Sequence, residues 1–233
     1  MANFDDEEYK AKLWDYLVDL PQKQNFMDKK TVKGSQFEMP YLEFTGACAG
    51  CAETPYAKVI TQLYGDRMII ANAHGCSNVW GGSAPTQGYK LNQQGHGPAW
   101  GNSLFEDNAE YGLGFFLGDR SNRELLKGYV DDAKEVASPD NMEVAEGTRK
   151  RSDAVIAALE KEKDGKFELE RVYSMKQYLI KRSTWIFGGD GWAYDIGYGG
   201  LDHVLALDEN VNVFIFDTEV YSNTGGQPSK ATP

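Results

Sequence analysis

Two apolar runs in the C-terminal part of the chain each lead into a polar turn that contains glycine. The first covers residues 185–191 (WIFGGDG), and the second covers residues 211–226 (VNVFIFDTEVYSNTGG). Consecutive apolar residues at 213–216 are typical of a strand buried on both faces. Between the two runs, residues 193–207 have helical spacing. Strand, helix and strand in this order predict a βαβ unit, and therefore an α/β fold with a mostly parallel sheet and helices on both faces.

The rest of the chain shows shorter patterns. Helical spacing is present at residues 9–20, 54–63 and 103–117, and a short buried strand is predicted at residues 67–72. Asn102, Glu106 and Asn108 are predicted to cap and start the third of these helices. Residues 74–102 are rich in Gly, Asn, Gln and Ser, and connections of this length tend to be functional or disordered.

The chain is predicted to consist of a short N-terminal segment followed by one domain. Residues 1–35 are charged and are interpreted as a linker with one packing helix, and residues 36–233 are interpreted as the domain. Within that domain, the residues from about 119 to 182 are charged and mostly helical in pattern. Because alternating Lys and Glu are typical of a solvated helix face, this stretch is interpreted as a helical insertion.

Composition narrows the class of protein. The chain has 233 residues, enough to bury a core, and its formal net charge of −11 argues against a nucleic-acid surface or a polybasic membrane contact. No apolar run approaches the roughly 18 residues that a membrane-spanning helix needs, and residues 1–10 are too acidic for a signal or transit peptide. The three cysteines are an odd number in a close pattern, which favours metal chemistry over disulfides. We therefore expect a cytoplasmic protein, or one from a reducing organelle of an anaerobe, that binds neither nucleic acid nor membrane.

The two polar turns put oxygen ligands where a parallel sheet binds its ligands. Asp190 follows the first predicted strand and Thr218 follows the second, and ligands of open α/β sheets collect beyond the carboxyl ends of such strands. A carboxylate, a hydroxyl and a backbone carbonyl from the following loop would suit a small cation such as Mg²⁺. The glycines would let a diphosphate approach the backbone. The alternative interpretation is an ordinary glycine-rich turn.

Cys48, Cys51 and Cys76 form the pattern C-x2-C-x24-C. Thiolates two residues apart on a tight turn bind one metal centre, and a third thiolate can return from a neighbouring loop. From the residues alone, three interpretations are open: an iron–sulfur cluster, a zinc site with His74 as fourth ligand, or three buried cysteines without a metal.

The sequence GDGWAYDIGYGGLDHVLA, the later VNVFIFDTEVYSNTGGQPSKATP and the cysteine spacing resemble the thiamine-diphosphate-binding domain of the single-chain pyruvate:ferredoxin (flavodoxin) oxidoreductases. The resemblance implies the thiamine-diphosphate-binding fold. It also implies that Asp190, Thr218 and the main chain of Val220 hold Mg²⁺, and that Asn223 faces the reacting carbonyl as a catalytic residue. The residues implied to line the cofactors are Glu53, Cys76, Gly189, Asp190, Gly191, Trp192, Thr218, Glu219, Val220, Tyr221, Ser222 and Asn223.

The same resemblance implies that Cys48, Cys51 and Cys76 bind a [4Fe–4S] cluster. The family has a fourth cysteine further toward the C-terminus, which this chain lacks, so the chain is expected to be a fragment. The implied reaction is the oxidative decarboxylation of pyruvate to acetyl-CoA and CO₂, with coenzyme A as co-substrate and ferredoxin or flavodoxin as electron acceptor. The other implied partners are the rest of the oxidoreductase polypeptide and a second copy in a homodimer. Two alternatives are a non-redox thiamine-diphosphate decarboxylase or transketolase-like domain, and a zinc-stabilised interaction domain.

Overall fold

The computed structural model describes residues 4–83, 87–133 and 145–233, and the side chains of all of these except residues 133 and 145–148. The α-helices are α1 (Phe4–Val18), α2 (Val32–Ser35), α3 (Glu53–Tyr64), α4 (Cys76–Gly82), α5 (Asn108–Ala133), α6 (Ala145–Glu162), α7 (Phe167–Ser174) and α8 (Tyr198–Ala206). The strands are β1 (Met68–Asn72), β2 (Ala99–Asn102), β3 (Ser183–Gly189), β4 (Asn212–Phe216), β5 (Val220–Tyr221) and β6 (Gln227–Pro228). Short 3₁₀ turns lie at Gly65–Arg67 and Lys176–Tyr178, and a π-helix lies at Gly191–Ile196.

Four parallel strands form the central sheet, in the order β2-β1-β3-β4. The register brings the carboxyl ends of β3 and β4 level, because Gly189 pairs with Phe216. The residues that follow these two strands are therefore neighbours at one edge of the sheet. A separate antiparallel pair, β5 with β6, folds the segment that follows β4 back on itself.

Each face of the sheet is covered by helices, as the apolar runs predict. Alternate residues of a strand point to opposite faces, and here Phe187 packs with Ile60 of α3 and Trp80 of α4. Its neighbour Ile186 packs on the other face with Leu201 of α8 and the start of α5. The predicted α/β architecture with a parallel sheet is confirmed, and it is compatible with a thiamine-diphosphate-binding fold.

A third apolar cluster lies outside the two faces of the sheet. It joins the second half of α5, through Leu126 and Val130, to Leu159 of α6 and Val172 of α7. The second half of α5, with α6 and α7, falls within the stretch interpreted as a charged helical insertion, so the apolar residues there form a core of their own. Residues 134–144 of that stretch lie outside the described residues.

Some element boundaries differ from those that the sequence predicts. The helix expected at residues 103–117 begins only at Asn108 and continues to Ala133. Residues before it form a turn, because the carboxylate of Asp107 accepts hydrogen bonds from the Ser103 hydroxyl and the Leu104 amide. Asn108 does not cap the helix with its side chain. Its amide instead donates to the carbonyls of Ala71 and Phe187, at 3.4 and 3.2 Å, and so ties α5 to β1 and β3.

Two other segments also differ from expectation. The helix expected at residues 193–207 is divided into the π-helix Gly191–Ile196 and the α-helix α8. The long connection at residues 74–102 contains α4 and β2, although β2 has no continuous apolar run that would predict it. Within the described residues, no helix is both long and apolar enough to cross a membrane.

Candidate active site

The side chain of Asp190 lies at the carboxyl end of β3 and holds the loop that follows β4. Its Oδ2 atom accepts hydrogen bonds from the Thr218 amide at 3.0 Å and the Thr218 hydroxyl at 2.9 Å. Its Oδ1 atom accepts one from the Glu219 amide at 3.0 Å. These three donors satisfy a carboxylate that is only 2% exposed. The predicted meeting of Asp190 and Thr218 is therefore present in the structure.

Three oxygen atoms lie close together here: Oδ2 of Asp190, the hydroxyl oxygen of Thr218 and the carbonyl oxygen of Val220. The Thr218 hydroxyl lies 2.9 Å from Asp190 Oδ2 and 3.0 Å from the Val220 carbonyl oxygen, so both acceptors share its one proton. A carboxylate, a hydroxyl and a carbonyl are the hard oxygen ligands that Mg²⁺ prefers. The donor set therefore fits a small divalent cation.

The loop after Thr218 takes a backbone conformation that brings its next residues over the end of β3. Glu219 has a φ of 62°, in the left-handed region that few residues other than glycine adopt. The ring of Tyr221 then lies so close to Gly191 that a Cβ at that position would collide with its Cε1 atom. The sequence therefore needs glycine at 191, for close approach of the loop to the π-helix.

A cleft opens where this loop faces α3 and α4. Most of the residues implied to contact the cofactors line it: Glu53, Cys76, Gly189, Asp190, Gly191, Val220, Tyr221, Ser222 and Asn223. Trp192, Thr218 and Glu219 are not among its lining residues. Trp192 is fully buried in the core on the α5 and α8 face of the sheet, so its ring supports the turn from below.

Five further residues line the cleft: His74, Gly75, Ser77, Phe105 and Thr224. All of them except Phe105 lie within two residues of a predicted site residue, so proximity in sequence is a signal that would find them. Phe105 has no such signal, because only the path of the chain after β2 brings its ring towards Tyr221, with centroids 6.5 Å apart.

Glu53 is the first residue of α3 and is 8% exposed. Its Oε2 atom accepts a hydrogen bond of 2.9 Å from the indole N–H of Trp80 in α4. Burial raises the pKa of Glu53, the Trp80 bond lowers it, and the nearby charge of Asp190 raises it further. The family resemblance implies that Glu53 contacts the cofactor, but the Trp80 contact depends on how two separate helices pack.

The three cysteines are free, and they differ in position. Cys76 begins α4 and lines the cleft, where its sulfur accepts a 3.3 Å hydrogen bond from the Ser222 hydroxyl. Burial raises the pKa of Cys76 most, and Glu53, Cys51 and Cys48 each add to the increase, whereas the Ser222 bond opposes it.

Across the described residues, no three His, Cys, Asp or Glu side chains are arranged closely enough to hold a metal ion. The cysteines and His74 therefore do not form a preassembled zinc site. In a [4Fe–4S] cluster each thiolate binds a different iron atom, so the sulfurs need not approach one another as closely as they do around one zinc ion.

Comparison with curated proteins gives matches along the whole chain. It is 55% identical to a pyruvate-flavodoxin oxidoreductase from Klebsiella pneumoniae. The alignment of 244 residues covers 100% of this chain and 21% of that protein. It is 52% identical to a pyruvate:ferredoxin oxidoreductase from Moorella thermoacetica, over 94% of this chain and 20% of that protein. The chain is a homologue of one segment of these oxidoreductases. It is also 47% identical to a pyruvate dehydrogenase [NADP(+)] from Cryptosporidium parvum, over 94% of this chain and 14% of that protein.

The homology confirms the family resemblance indicated by the sequence. The chain spans about a fifth of the length of the oxidoreductases that it matches. No protein-family model matches the chain.

Proposed function

We propose that the chain forms the thiamine-diphosphate and Mg²⁺-binding part of an enzyme that oxidatively decarboxylates pyruvate to acetyl-CoA and CO₂. The observation that supports this most strongly is the convergence of the Asp190 carboxylate, the Thr218 hydroxyl and the Val220 carbonyl at the ends of β3 and β4. These oxygens lie beside a cleft, in a chain more than half identical to a segment of a pyruvate-flavodoxin oxidoreductase.

The proposed roles of the residues follow from their places around the cleft. Asp190, Thr218 and Val220 hold Mg²⁺ through oxygen atoms. Gly189 and Gly191 let the diphosphate approach the backbone, and the segment 218–223 closes over it. Trp192 fixes the turn from the core, and Asn223 at the exposed end of the loop faces the substrate carbonyl. Bound thiamine diphosphate would supply a carbon nucleophile and an electron sink, and an iron–sulfur cluster would supply one-electron transfer.

We further propose that Cys48, Cys51 and Cys76 bind a [4Fe–4S] cluster together with a fourth ligand from outside this sequence. Cys76 lines the cleft proposed to bind the coenzyme, and Ser222, in the loop after Thr218, donates a hydrogen bond to its sulfur. One loop therefore contacts both proposed cofactor sites, which is the arrangement that short-range electron transfer requires. Hydrogen bonds to the sulfurs are among the features that set a cluster potential, so Ser222 would also tune it.

The complete reaction needs partners that the proposal takes from the relatives. Coenzyme A would accept the acetyl group, and ferredoxin or flavodoxin would accept the electrons. The rest of the oxidoreductase polypeptide, in a homodimer, would supply the remaining substrate-binding groups. A cytoplasmic or other reducing compartment would keep the cysteines available for iron.

The metal site is tested by Asp190→Asn, which keeps the size of the side chain but removes its charge. Mg²⁺-dependent binding of thiamine diphosphate, measured by calorimetry on the natural polypeptide, should weaken on the order of 100-fold or more, because the charged ligand is lost. Asp202→Asn is the matched control, since Asp202 is exposed on the next helix. Unchanged affinity in Asp190→Asn would rule out the proposed site.

The cluster is tested separately by anaerobic purification and analysis for iron, sulfide and zinc. The proposal expects iron and sulfide, with visible absorbance that dithionite bleaches. Cys51→Ser should lose both together. Colourless protein with about one zinc per chain would instead support the zinc-stabilised alternative, and colourless protein that still binds thiamine diphosphate would support a non-redox decarboxylase or transketolase-like domain.

A further inference from the structure

A second cavity, of about 440 Å³, lies at the opposite end of the sheet from the coenzyme cleft. It is lined by Met68 and Ile69 at the start of β1, and by Arg182 immediately before β3. The coenzyme cleft instead lies beyond the last residues of these same strands. The two cavities share no lining residue, so the second cavity is a separate site.

Cationic side chains outnumber carboxylates around this cavity, although the chain as a whole carries a net charge of −11. The cations are Arg67, Arg149, Lys176 and Arg182, and the carboxylates are Asp66 and Asp153. One of those carboxylates is already used, since Asp66 forms an ion pair of 3.3 Å with Arg149. An anion would therefore meet an excess of positive charge here.

Arg67 and Lys176 are the cations of this cavity that have no counterion among the described residues. Lys176 donates to the Tyr173 hydroxyl, and Arg182 lies 3.9 Å from Asp119. The guanidinium of half-buried Arg67, by contrast, has a buried Nε atom without any hydrogen-bond partner among the described residues. Buried polar groups normally have a partner, and a guanidinium is shaped to bind two oxygens of a carboxylate or phosphate.

Two further buried nitrogen atoms of residues that line this cavity have no hydrogen-bond partner among the described residues, Nε of Arg149 and Nδ1 of His96. Burial, and to a smaller extent the positive charge of Arg149, lower the pKa of His96, while Asp153 and Asp66 oppose this. The neutral imidazole has one N–H, which its tautomer can present at Nδ1.

Part of the remaining wall is apolar, and the cavity gives room for more than an inorganic ion. Ile69, Ile156 and Ile180 line the cavity together with Ala99. Its volume falls in the range of about 300–1,000 Å³ that is typical of small-molecule sites. A ligand that fills it would combine an anionic end with a compact apolar part.

We propose that this cavity binds a small organic oxyanion, with its phosphate or carboxylate group on the guanidinium of Arg67 and its apolar part against the isoleucine wall. His96 donates a hydrogen bond to the same anionic group. The site lies apart from the coenzyme cleft and does not depend on the proposed reaction.

The test is calorimetric titration of the natural polypeptide with phenyl phosphate, benzoate, inorganic phosphate and benzyl alcohol. Phenyl phosphate and benzoate share an aromatic ring and differ in the anion, so they show which oxyanion the site prefers. Benzyl alcohol has the ring without the charge and should not bind. Arg67→Met should weaken the binding of whichever anion binds more tightly by about tenfold or more, because a charged hydrogen-bond donor is lost.

Three variants serve as controls. Arg120→Met removes a surface arginine that is paired with Glu209. Asp190→Asn disables the proposed coenzyme site. Neither variant should change the affinity of this cavity for the anion. Arg67→Lys keeps the charge without the planar fork and should bind with intermediate affinity, so it decides the question if Arg67→Met does not fold. The proposal is overturned if neither phenyl phosphate nor benzoate binds, if Arg67→Met and Arg67→Lys bind like the wild type, or if Asp190→Asn abolishes binding.

Discussion

At the level of single side chains, the Thr218 hydroxyl connects the carboxylate of Asp190 to the carbonyl of Val220. Removing it leaves two acceptors that face each other without the shared proton. Thr218→Val should therefore weaken Mg²⁺-dependent binding of thiamine diphosphate by about 10- to 100-fold, the usual effect of disturbing the groups around a metal. Thr218→Ser keeps the hydroxyl and should stay close to the wild type. Unchanged affinity in Thr218→Val, measured by calorimetry, would show that the hydroxyl does not contribute to the metal site.

His96 should make stability depend on pH. Burial, followed by the charge of Arg149, lowers its pKa in the folded state below the ordinary value of 6.5. The unfolded chain then binds the proton more readily, so the stabilising contribution is complete above pH 6.5 and is lost as the pH falls through the lowered value. His96→Gln should lose less stability than the wild type on acidification. Urea unfolding between about pH 5 and 8 measures this, in a buffer without phosphate, and parallel curves for the two proteins would contradict the prediction.

Residues that follow the ends of strands could be predicted to meet, whereas contacts between distant elements could not. Asp190 and Thr218 come together because parallel strands end at one edge of the sheet, which the apolar runs already indicate. The bond from Ser222 to Cys76 joins positions 146 residues apart. It depends on the reversal of the chain between β5 and β6 and on the position of α4, and neither feature has a clear sequence pattern.

At the level of elements, α5 lies unusually close to the sheet at one glycine. A Cβ at Gly112 would meet Ile186 Cγ1 at 2.5 Å and Ala71 Cβ at 3.2 Å. Gly112→Ala should therefore overpack this contact and lower the free energy of unfolding by about 1–3 kcal/mol. Gly114→Ala is the matched control in the same helix, because nothing lies within 4 Å of its Cβ.

The control has an expectation of the opposite sign. Alanine is favoured over glycine in a helix by roughly 0.5–1 kcal/mol, so Gly114→Ala should be slightly stabilising. Denaturant unfolding of both variants gives the comparison. A destabilised Gly114→Ala, or a Gly112→Ala as stable as the wild type, would show that α5 does not pack on β1 and β3 in this way.

The elements that could be predicted are those with a continuous apolar run or clear helical spacing. β1, β3, β4 and α3 belong to this class, and their positions agree with the sequence patterns to within a few residues. β2 was missed because its four residues, AWGN, are all at least partly exposed at the edge of the sheet. The π-helix after Asp190 was predicted as the start of an α-helix, since spacing alone does not distinguish the two; single turns of π-helix are frequent at functional sites.

At the level of the whole molecule, ligand binding should increase the stability of the folded state. A ligand that binds only the folded state stabilises it by about 2.7 kcal/mol at roughly 100 times its Kd. Thiamine diphosphate with Mg²⁺ should therefore raise the thermal midpoint, and EDTA should cancel the increase. In Asp190→Asn the thermal midpoint should not change when thiamine diphosphate and Mg²⁺ are added together. A shift of the same size without Mg²⁺ would contradict a metal-dependent site.

The division of the chain into a domain and an insertion remains an interpretation. The apolar cluster of Leu126, Leu159 and Val172 supports a helical unit beside the sheet. However, α5 belongs to both parts, since its first half covers β1 and β3 and its second half enters that cluster. Alternating charges along a helix do not show that its two halves pack against different clusters, because the charged residues mark only the solvated face. Helix α1 has no buried residues, although the ring of Trp14 contacts Phe44 with centroids 4.7 Å apart.

Strand β4 pairs with β3 alone among the strands in the described part of the chain. Its other side presents a row of amide and carbonyl groups in the plane of the sheet, which is a template for one more strand. Concentrated solutions of this sequence on its own should therefore form oligomers by strand addition along that border, unless another stretch of polypeptide occupies it.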